Sequence, residues 1–345
     1  MNLKKHLAII AGIIAILLSF TTNAIAQKKP AGKPAPKPFT FTISTDIESK
    51  NETIVIGINI DSLKFSSYWD IIKHKVEDDD LDDDLDCGDD GKIHYDVVEV
   101  SEKPYTVEYD LDCDGDGKYE HIGQTDFQTC SYQRNTGKHQ IRIRGKIPAI
   151  RLCDMSNLDD KYQSVDNSKA VVSVDDWGDV SWKSMDSFAS NCKNLTILPS
   201  KAPQLKDVKS VSGMFNNAES FNQSINHWNM SNVRDMEGMF YGAKAFNQPL
   251  DKWNVSKVIN MSNMFMGATS FDQPLDKWNV SNACYMDSMF IDASSYSHYP
   301  SKWTLPDTGW KPPEQYYIFE GTKIEEKEKA NPLKLKKRKN KCQYY

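Results

Sequence analysis

The chain is 345 residues long, with 42 Lys and Arg against 48 Asp and Glu and a formal net charge of -6. That length accommodates two domains of ordinary size, and a balance so close to neutral gives no sign of a dedicated nucleic-acid binder. Seven cysteines are too few for a fold built on disulfides alone, so hydrophobic cores must do most of the holding.

Residues 1–26 run from Lys4 and Lys5 through the apolar stretch LAIIAGIIAILLSF to Ala24-Ile25-Ala26. Charged, greasy and then small is the order of a secretory signal peptide, with cleavage expected after Ala26. Removal of Lys4 and Lys5 takes the charge from -6 to -8. No later segment approaches the roughly 18 apolar residues of a membrane span, so the mature protein is expected to carry no transmembrane segment. No Cys stands at the cleavage site, which argues against a lipid anchor. Export places all seven cysteines where disulfides persist, and the odd number leaves at least one without a partner in the chain.

The stretch 27–38, QKKPAGKPAPKP, is a Pro- and Lys-rich linker. From Phe39 the segments FTFTIS, TIVIGINI, KPYTVEYD and KHQIRIRG alternate apolar and polar residues. Period-2 alternation marks half-buried strands, so 39–155 reads as an all-β domain, most simply a sandwich. Within it DLDCGDDGK (84–92) is echoed by DLDCDGDGK (110–118). In the second copy Asp110, Asp112, Asp114 and Asp116 alternate ahead of Gly117. Carboxylates at that spacing can converge on calcium, and Gly permits the sharp turn. Counting twelve from Asp112 lands on Gly123, where an EF-hand would need an acid. Two readings stay open: an Asp/Gly turn alone, and a turn that also holds calcium. The nine-Asp run EDDDLDDDLDCGDD (77–90) reads as a solvated loop, and Cys113 could pair with Cys87 or with Cys130.

After a connector at 156–176 the pattern changes to a register of 25. Met214-Phe215, Met239-Phe240, Met264-Phe265 and Met289-Phe290 repeat at that interval, as do Trp228, Trp253, Trp278 and Trp303. Asn229, Asn254 and Asn279 form one polar column and Gln223, Gln248 and Gln273 another. A worn copy in WGDVSWKSMDSFASNC places Phe188 27 residues before Phe215. A 25-residue unit cannot bury its apolar positions alone, whereas stacked copies put Met on Met and Trp on Trp. Segment 177–310 is therefore expected to be a short solenoid of the leucine-rich-repeat type, with a strand through VRDMEGMF and its copies. The Met, Phe and Trp columns are assigned to its core, and the Asn and Gln columns to backbone bonds with the neighbouring coil. Function is expected in outward letters that differ between copies, such as Lys257-Val258-Ile259 against Asn282-Ala283-Cys284. Residues 311–345 read as a charged, disordered tail, basic at LKLKKRKNK and not a nucleic-acid site.

The strings FNQPLDKWNVSKVINMSNMF, FNQSINHWNMSNVRDMEGMF and FDQPLDKWNVSNACYMDSMF resemble the 25-residue repeat of BspA-type leucine-rich repeat surface proteins, a repeat also found in mycoplasma lipoproteins. The segment GKHQIRIRG and the lead-in Trp177-Gly178-Asp179 resemble the N-terminal part of that family, and YDLDCDGDGKYEH resembles a turn of a polycystic-kidney-disease-like (PKD-like) immunoglobulin-type domain. The resemblance implies a secreted or envelope bacterial protein, and for some members adhesion to host proteins or other cells. LPDTG (305–309) matches a sortase signal but lacks a spanning stretch after it, and there is no HExxH, GxSxG or phosphate-binding glycine loop. The overall expectation is a multidomain exported protein, a PKD-like sandwich followed by a repeat solenoid. It is expected to act without catalysis or cofactor, apart from the calcium reading. Its partner would be a protein or envelope polymer, such as host extracellular matrix, another cell or the producer's own polymers.

Overall fold

The computed structural model describes residues 35–47, 53–61, 106–154, 167–306, 318–325 and 333–336. The segment expected as a signal peptide, most of that expected as a linker, and the nine-Asp run with Cys87 lie outside the described residues. Among the described residues the named elements are ten strands: β1 (Phe39–Ser44), β2 (Thr53–Asp61), β3 (Glu108–Asp112), β4 (His121–Gln124), β5 (Gln128–Gln133), β6 (Lys138–Lys146), β7 (Ala149–Arg151), β8 (Val171–Asp176), β9 (Thr304–Pro306) and β10 (Lys334–Lys336).

The fold is all-β. Five strands form an antiparallel sheet in the order β4-β3-β6-β1-β8, and three form a second in the order β5-β2-β7. Alternation along β6 accounts for its two faces. Ile141 and Ile143 turn into the core with Phe41, Ile43 and Leu111, while Arg142 and Arg144 turn outward. There they meet Asp112 and Asp110 of the paired strand β3, at 3.9 and 2.9 Å. Ile56, Cys130, Tyr132 and Ile150 of the second sheet belong to the same buried cluster. A disulfide from Cys113, just past β3, to Cys130 in β5 ties the two sheets together, which settles the open pairing against Cys87.

The stretch expected as a connector contains β8, and this strand joins the two halves of the chain. One edge of β8 pairs with β1, and the other bridges in parallel from Ser173 to Ile197 of the first coil. A sheet edge that would otherwise offer unpaired N–H and C=O groups is thereby covered. Cys153–Cys192 adds a covalent link at the same junction. Gly178 sits in the lead-in with φ +62°, and a Cβ there would lie 2.5 Å from the Phe39 nitrogen. Only glycine fits that approach.

The 25-residue units stack as parallel coils, with isolated bridges running Ser210 to Asp235 to Asn260 to Tyr285. The expected strand through VRDMEGMF contracts to one such bridge. Gly238 and Gly242 adopt φ of +54° and +63°, as do the residues at matching positions in other coils, and left-handed backbone cannot continue an extended strand. The alternation of hand sorts the amides into two sets. Met236, Gly238, Phe240 and Gly242 donate to Asn260, Ser262, Met264 and Met266 in the next coil at 2.7–2.9 Å, whereas Met239, Tyr241 and Ala243 close tight turns within their own coil. Every buried amide in this stretch is thus satisfied without a regular sheet.

The same bonds correct the spacing of the worn first copy. Met185 donates to Ser210, Ser187 to Ser212 and Ala189 to Met214, so Ala189 and not Phe188 lies over Phe215. The first coil carries one extra residue rather than two.

The charged tail also needs correction, because part of it caps the stack. Phe290 and Asp292 of the last full coil donate to the carbonyls of Ile318 and Glu320. Phe319 continues the ring column at 5.4 Å from Phe290 and 6.2 Å from Tyr296. Ile318, Phe319 and Ile324 are buried, and Gly321 repeats the left-handed turn at φ +72°. IFEGTKI is therefore half a coil, and β10 pairs in parallel with β9 beyond it. Leu305 of the LPDTG string is buried in this region, and residues 307–309 of that string lie outside the described residues.

Candidate functional site

The acidic turn after β3 is fixed by its own backbone. Asp112, fully buried, accepts from the Gly115 and Gly117 amides at 2.6 and 2.9 Å and lies beside Arg142. Asp114 accepts from the Asp116 amide, and Asp116 from the amide and ammonium of Lys118. The Lys118 hydrogen bonds hold the Asp116 carboxyl below the usual carboxylate range. Asp110, named with this group from the sequence, is not part of it, because its carboxylate is committed to Arg144 and the Gly123 amide. Glu120 takes its place, with a carboxylate oxygen within 4.8 Å of those of Asp112, Asp114 and Asp116. Glu120 stands in the same alternate register, at the ninth position counted from Asp112, but the sequence reading stopped at Asp116; the turn brings it back to accept the Cys113 amide at 2.8 Å. Tyr132 closes the loop from below by donating to the Cys113 carbonyl. Burial raises its phenol above the ordinary range. These bonds account for the turn's acids as turn formers.

The coil columns divide cleanly by burial. Met214, Phe215, Met239, Phe240, Met264, Phe265, Met289 and Phe290 are all fully buried, and Trp228, Trp253, Trp278 and Trp303 are at most 4% exposed. Rings in successive coils lie nearly parallel, Phe215 to Phe240 at 5.8 Å and Phe240 to Phe265 at 5.5 Å. Trp253 and Trp278 stack at 6.3 Å and 8°. Each of Trp253, Trp278 and Trp303 also donates its indole N–H to a carbonyl of the preceding coil, Ile225, Leu250 and Leu275. That bond explains why the column is Trp and not Phe. It gives the buried indole N–H a partner, on a carbonyl that also accepts the backbone amide of its own coil's Trp.

The polar columns differ from one another. Gln223 grips the preceding coil with both ends of its amide, accepting from the Leu198 N–H and donating to the Leu198 carbonyl. Gln248 and Gln273 bond instead to Asn222 and Asn247, whose carbonyl oxygens also accept the amides of Asn247 and Asp272. Asn229, Asn254 and Asn279 turn back on their own coil and cap the amides two residues on. The assignment of this Asn column to the next coil is therefore wrong. A short amide at the start of a tight turn reaches its own backbone first.

Outward positions vary from coil to coil. Glu219, Lys244, Thr269 and Ser294 occupy one column, and Asn216, Tyr241, Met266 and Ile291 another, all at least partly exposed. Neighbouring charges pair across coils, Lys244 with Glu219 at 3.0 Å and Lys277 with Asp251 at 2.8 Å. The two segments named from the sequence as outward are so only in part. Val258, Ala283 and Cys284 are buried, and Cys284 is disulfide-bonded. Lys257 and Asn282 are exposed.

Among the described residues no helix is long and apolar enough to cross a membrane. A comparison with curated proteins and one with solved structures each returned no match. Residues 183–303, from the first coil to the last Trp of the column, match the family described as Mycoplasma protein of unknown function, DUF285.

Proposed function

We propose that the chain is an exported, non-catalytic binding protein, presented at the cell surface or in the periplasm. In this reading its coils form a leucine-rich-repeat-type solenoid of the BspA kind behind a PKD-like sandwich. One observation carries the reading: the repeating apolar columns of Met, Phe and Trp lie inside, while several outward columns change from coil to coil. An inner set held constant preserves the scaffold, while an outer set free to change can be fitted to a partner, as in other stacked-repeat proteins. The outer columns mix charge with half-buried Tyr241, Met266 and Ile291, a composition suited to a protein surface.

The test uses the whole mature chain, because the first coil is bonded to β8 and to Pro148, Leu152 and Cys153 on either side of β7 and should not be cut from them. Immobilised protein is offered host matrix proteins in one arm and solubilised envelope of the producing cell in the other. Saturable capture of a host protein supports adhesion. Capture of producer material alone would instead make the protein a structural envelope component.

A further inference from the structure

Each coil presents two outward sides. Its Trp segment and its Met-Phe segment face each other across the core, with the Phe215, Phe240 and Phe265 rings 6.3, 6.3 and 6.4 Å from Trp228, Trp253 and Trp278. Side chains that point away from the core therefore leave on opposite sides. Ion pairs between coils stay within one side, Lys277 with Asp251 on the first and Lys244 with Glu219 on the second.

The two sides carry opposite charge. The Trp segments, 200–209, 226–234, 251–259, 276–284 and 301–304, hold eight Lys and Arg against three Asp. The Met-Phe segments, 184–199, 210–225, 235–250, 260–275 and 285–300, hold seven Asp and Glu against two Lys. Each side also keeps exposed charges that its own ion pairs leave over. Among the described residues Arg234, Lys252 and Lys302 have no anionic partner, and Glu237, Asp292 and Glu320 of the cap have no cationic one. Beside these acids runs the half-buried stripe Tyr241, Met266 and Ile291, which lysine stems can cover while their ammonium groups reach the carboxylates.

We propose that the basic side of one stack docks on the acidic side of a second copy of this chain. A foreign polyanion would complement the basic side alone, whereas a second copy complements both. Both sides repeat at the coil spacing of about 4.8 Å, so their charges meet in register. Five coils make a face about 24 Å tall, and a nine-residue Trp segment makes it at most about 30 Å wide. That is at most about 700 Å² per partner, just under the roughly 800 Å² of a standard interface, so the contact is weak and depends on charge. It uses a different patch on each partner and leaves one side of each sort open, so copies add in rows instead of closing as a dimer. This names a partner for the coil surface and rests on the reading of the coils as a contact surface.

The test is sedimentation of the mature chain at rising concentration, with melting temperatures as the check on folding. In low-salt buffer the mean mass should climb past that of a dimer, and in about 1 M salt, where the screening length falls to about 3 Å, it should return to the monomer. Arg234→Glu/Lys252→Glu/Lys302→Glu disables the basic side, and Glu237→Lys/Asp292→Asn/Glu320→Lys the acidic one, with Asn keeping the left-handed backbone of Asp292 at φ 58°. Each variant alone should self-associate at least about tenfold more weakly, since like charges now face each other. Mixed, the two should form a complex of one copy of each and no more, because one good side remains on each. A chain that stays monomeric in low salt, association untouched by salt or by either variant, or no complex on mixing would each overturn the proposal. Capture of a foreign partner by dilute immobilised protein is read separately, so failure of self-docking is distinguishable from failure of the binding reading.

Discussion

Replacing Trp253 with Ala tests whether the Trp column is scaffold. The side chain is 4% exposed, stacks on Trp278 at 6.3 Å, lies 6.3 Å from the Phe240 ring and donates to the Ile225 carbonyl at 3.1 Å. Emptying a buried Trp costs about 3–5 kcal/mol. The Ile225 carbonyl keeps a second donor, the Trp228 amide at 3.0 Å, so no acceptor is stranded and the upper end is not reached. The expected loss is about 4 kcal/mol, a large share of the roughly 5–15 kcal/mol that holds a domain together. Trp253→Phe keeps most of the ring contacts and loses the N–H, and should cost about 1–2 kcal/mol. Urea titration of the mature chain followed by circular dichroism measures both. If both variants lay within about 0.5 kcal/mol of the parent while ligand capture vanished, the column would be a binding platform and the core assignment would fail.

Three further outcomes are expected. Phe319→Ala removes the ring that closes the stack and should cost about 3 kcal/mol, with hydrogen exchange of the Phe290 and Asp292 amides accelerating before that of the inner coils. Gly178→Ala forces a side chain into left-handed backbone against Phe39 and should cost at least about 2 kcal/mol by thermal melting. Asp186 gives a pH signature: burial pushes its carboxyl up to about 6, against the opposing bonds from Ser210, Ser184 and Ser212. The folded state then keeps a proton that the unfolded chain has released, so stability falls as pH rises from about 4 to 6. With part of the side chain exposed, the drop attributable to this group is about 2 kcal/mol. Asp186→Asn should flatten that slope, and an unchanged slope in denaturant titrations at several pH values would refute the cause.

The repeat core was legible because burial imposes its period on the letters. One-in-25 recurrence of Met, Phe and Trp is a direct imprint of coil stacking. The backbone path was less legible: the same stretch reads as a strand by composition, and only the left-handed positions at Gly238 and Gly242 reveal turns. Strands β4, β5 and β7 were missed because they are short or polar, and β8 because its pairing is made at a distance, with β1 and with Ile197. The half-coil IFEGTKI hides in charged surroundings, yet its Phe-x-Gly order matches the Phe240-Tyr241-Gly242 and Phe265-Met266-Gly267 of the full coils, a signal that was available in the sequence. Glu120 was within reach of the sequence, since it is the ninth position counted from Asp112, in the alternate register of Asp114 and Asp116, but only the twelfth position was checked for an acid.

The most direct test of the account compares capture by the mature protein with capture by a variant altered only on the outside. Arg234, Lys257 and Thr269 are exposed, and changing all three to Ala should leave the melting temperature within a degree or two, as surface substitutions usually do. Quantitative binding to the captured partner is the measurement. Unchanged stability with affinity reduced about tenfold or more is the expected result. Full affinity in this variant, alongside lost affinity in one whose changes lie only in the sandwich, would contradict the claim that the coils carry the contact surface.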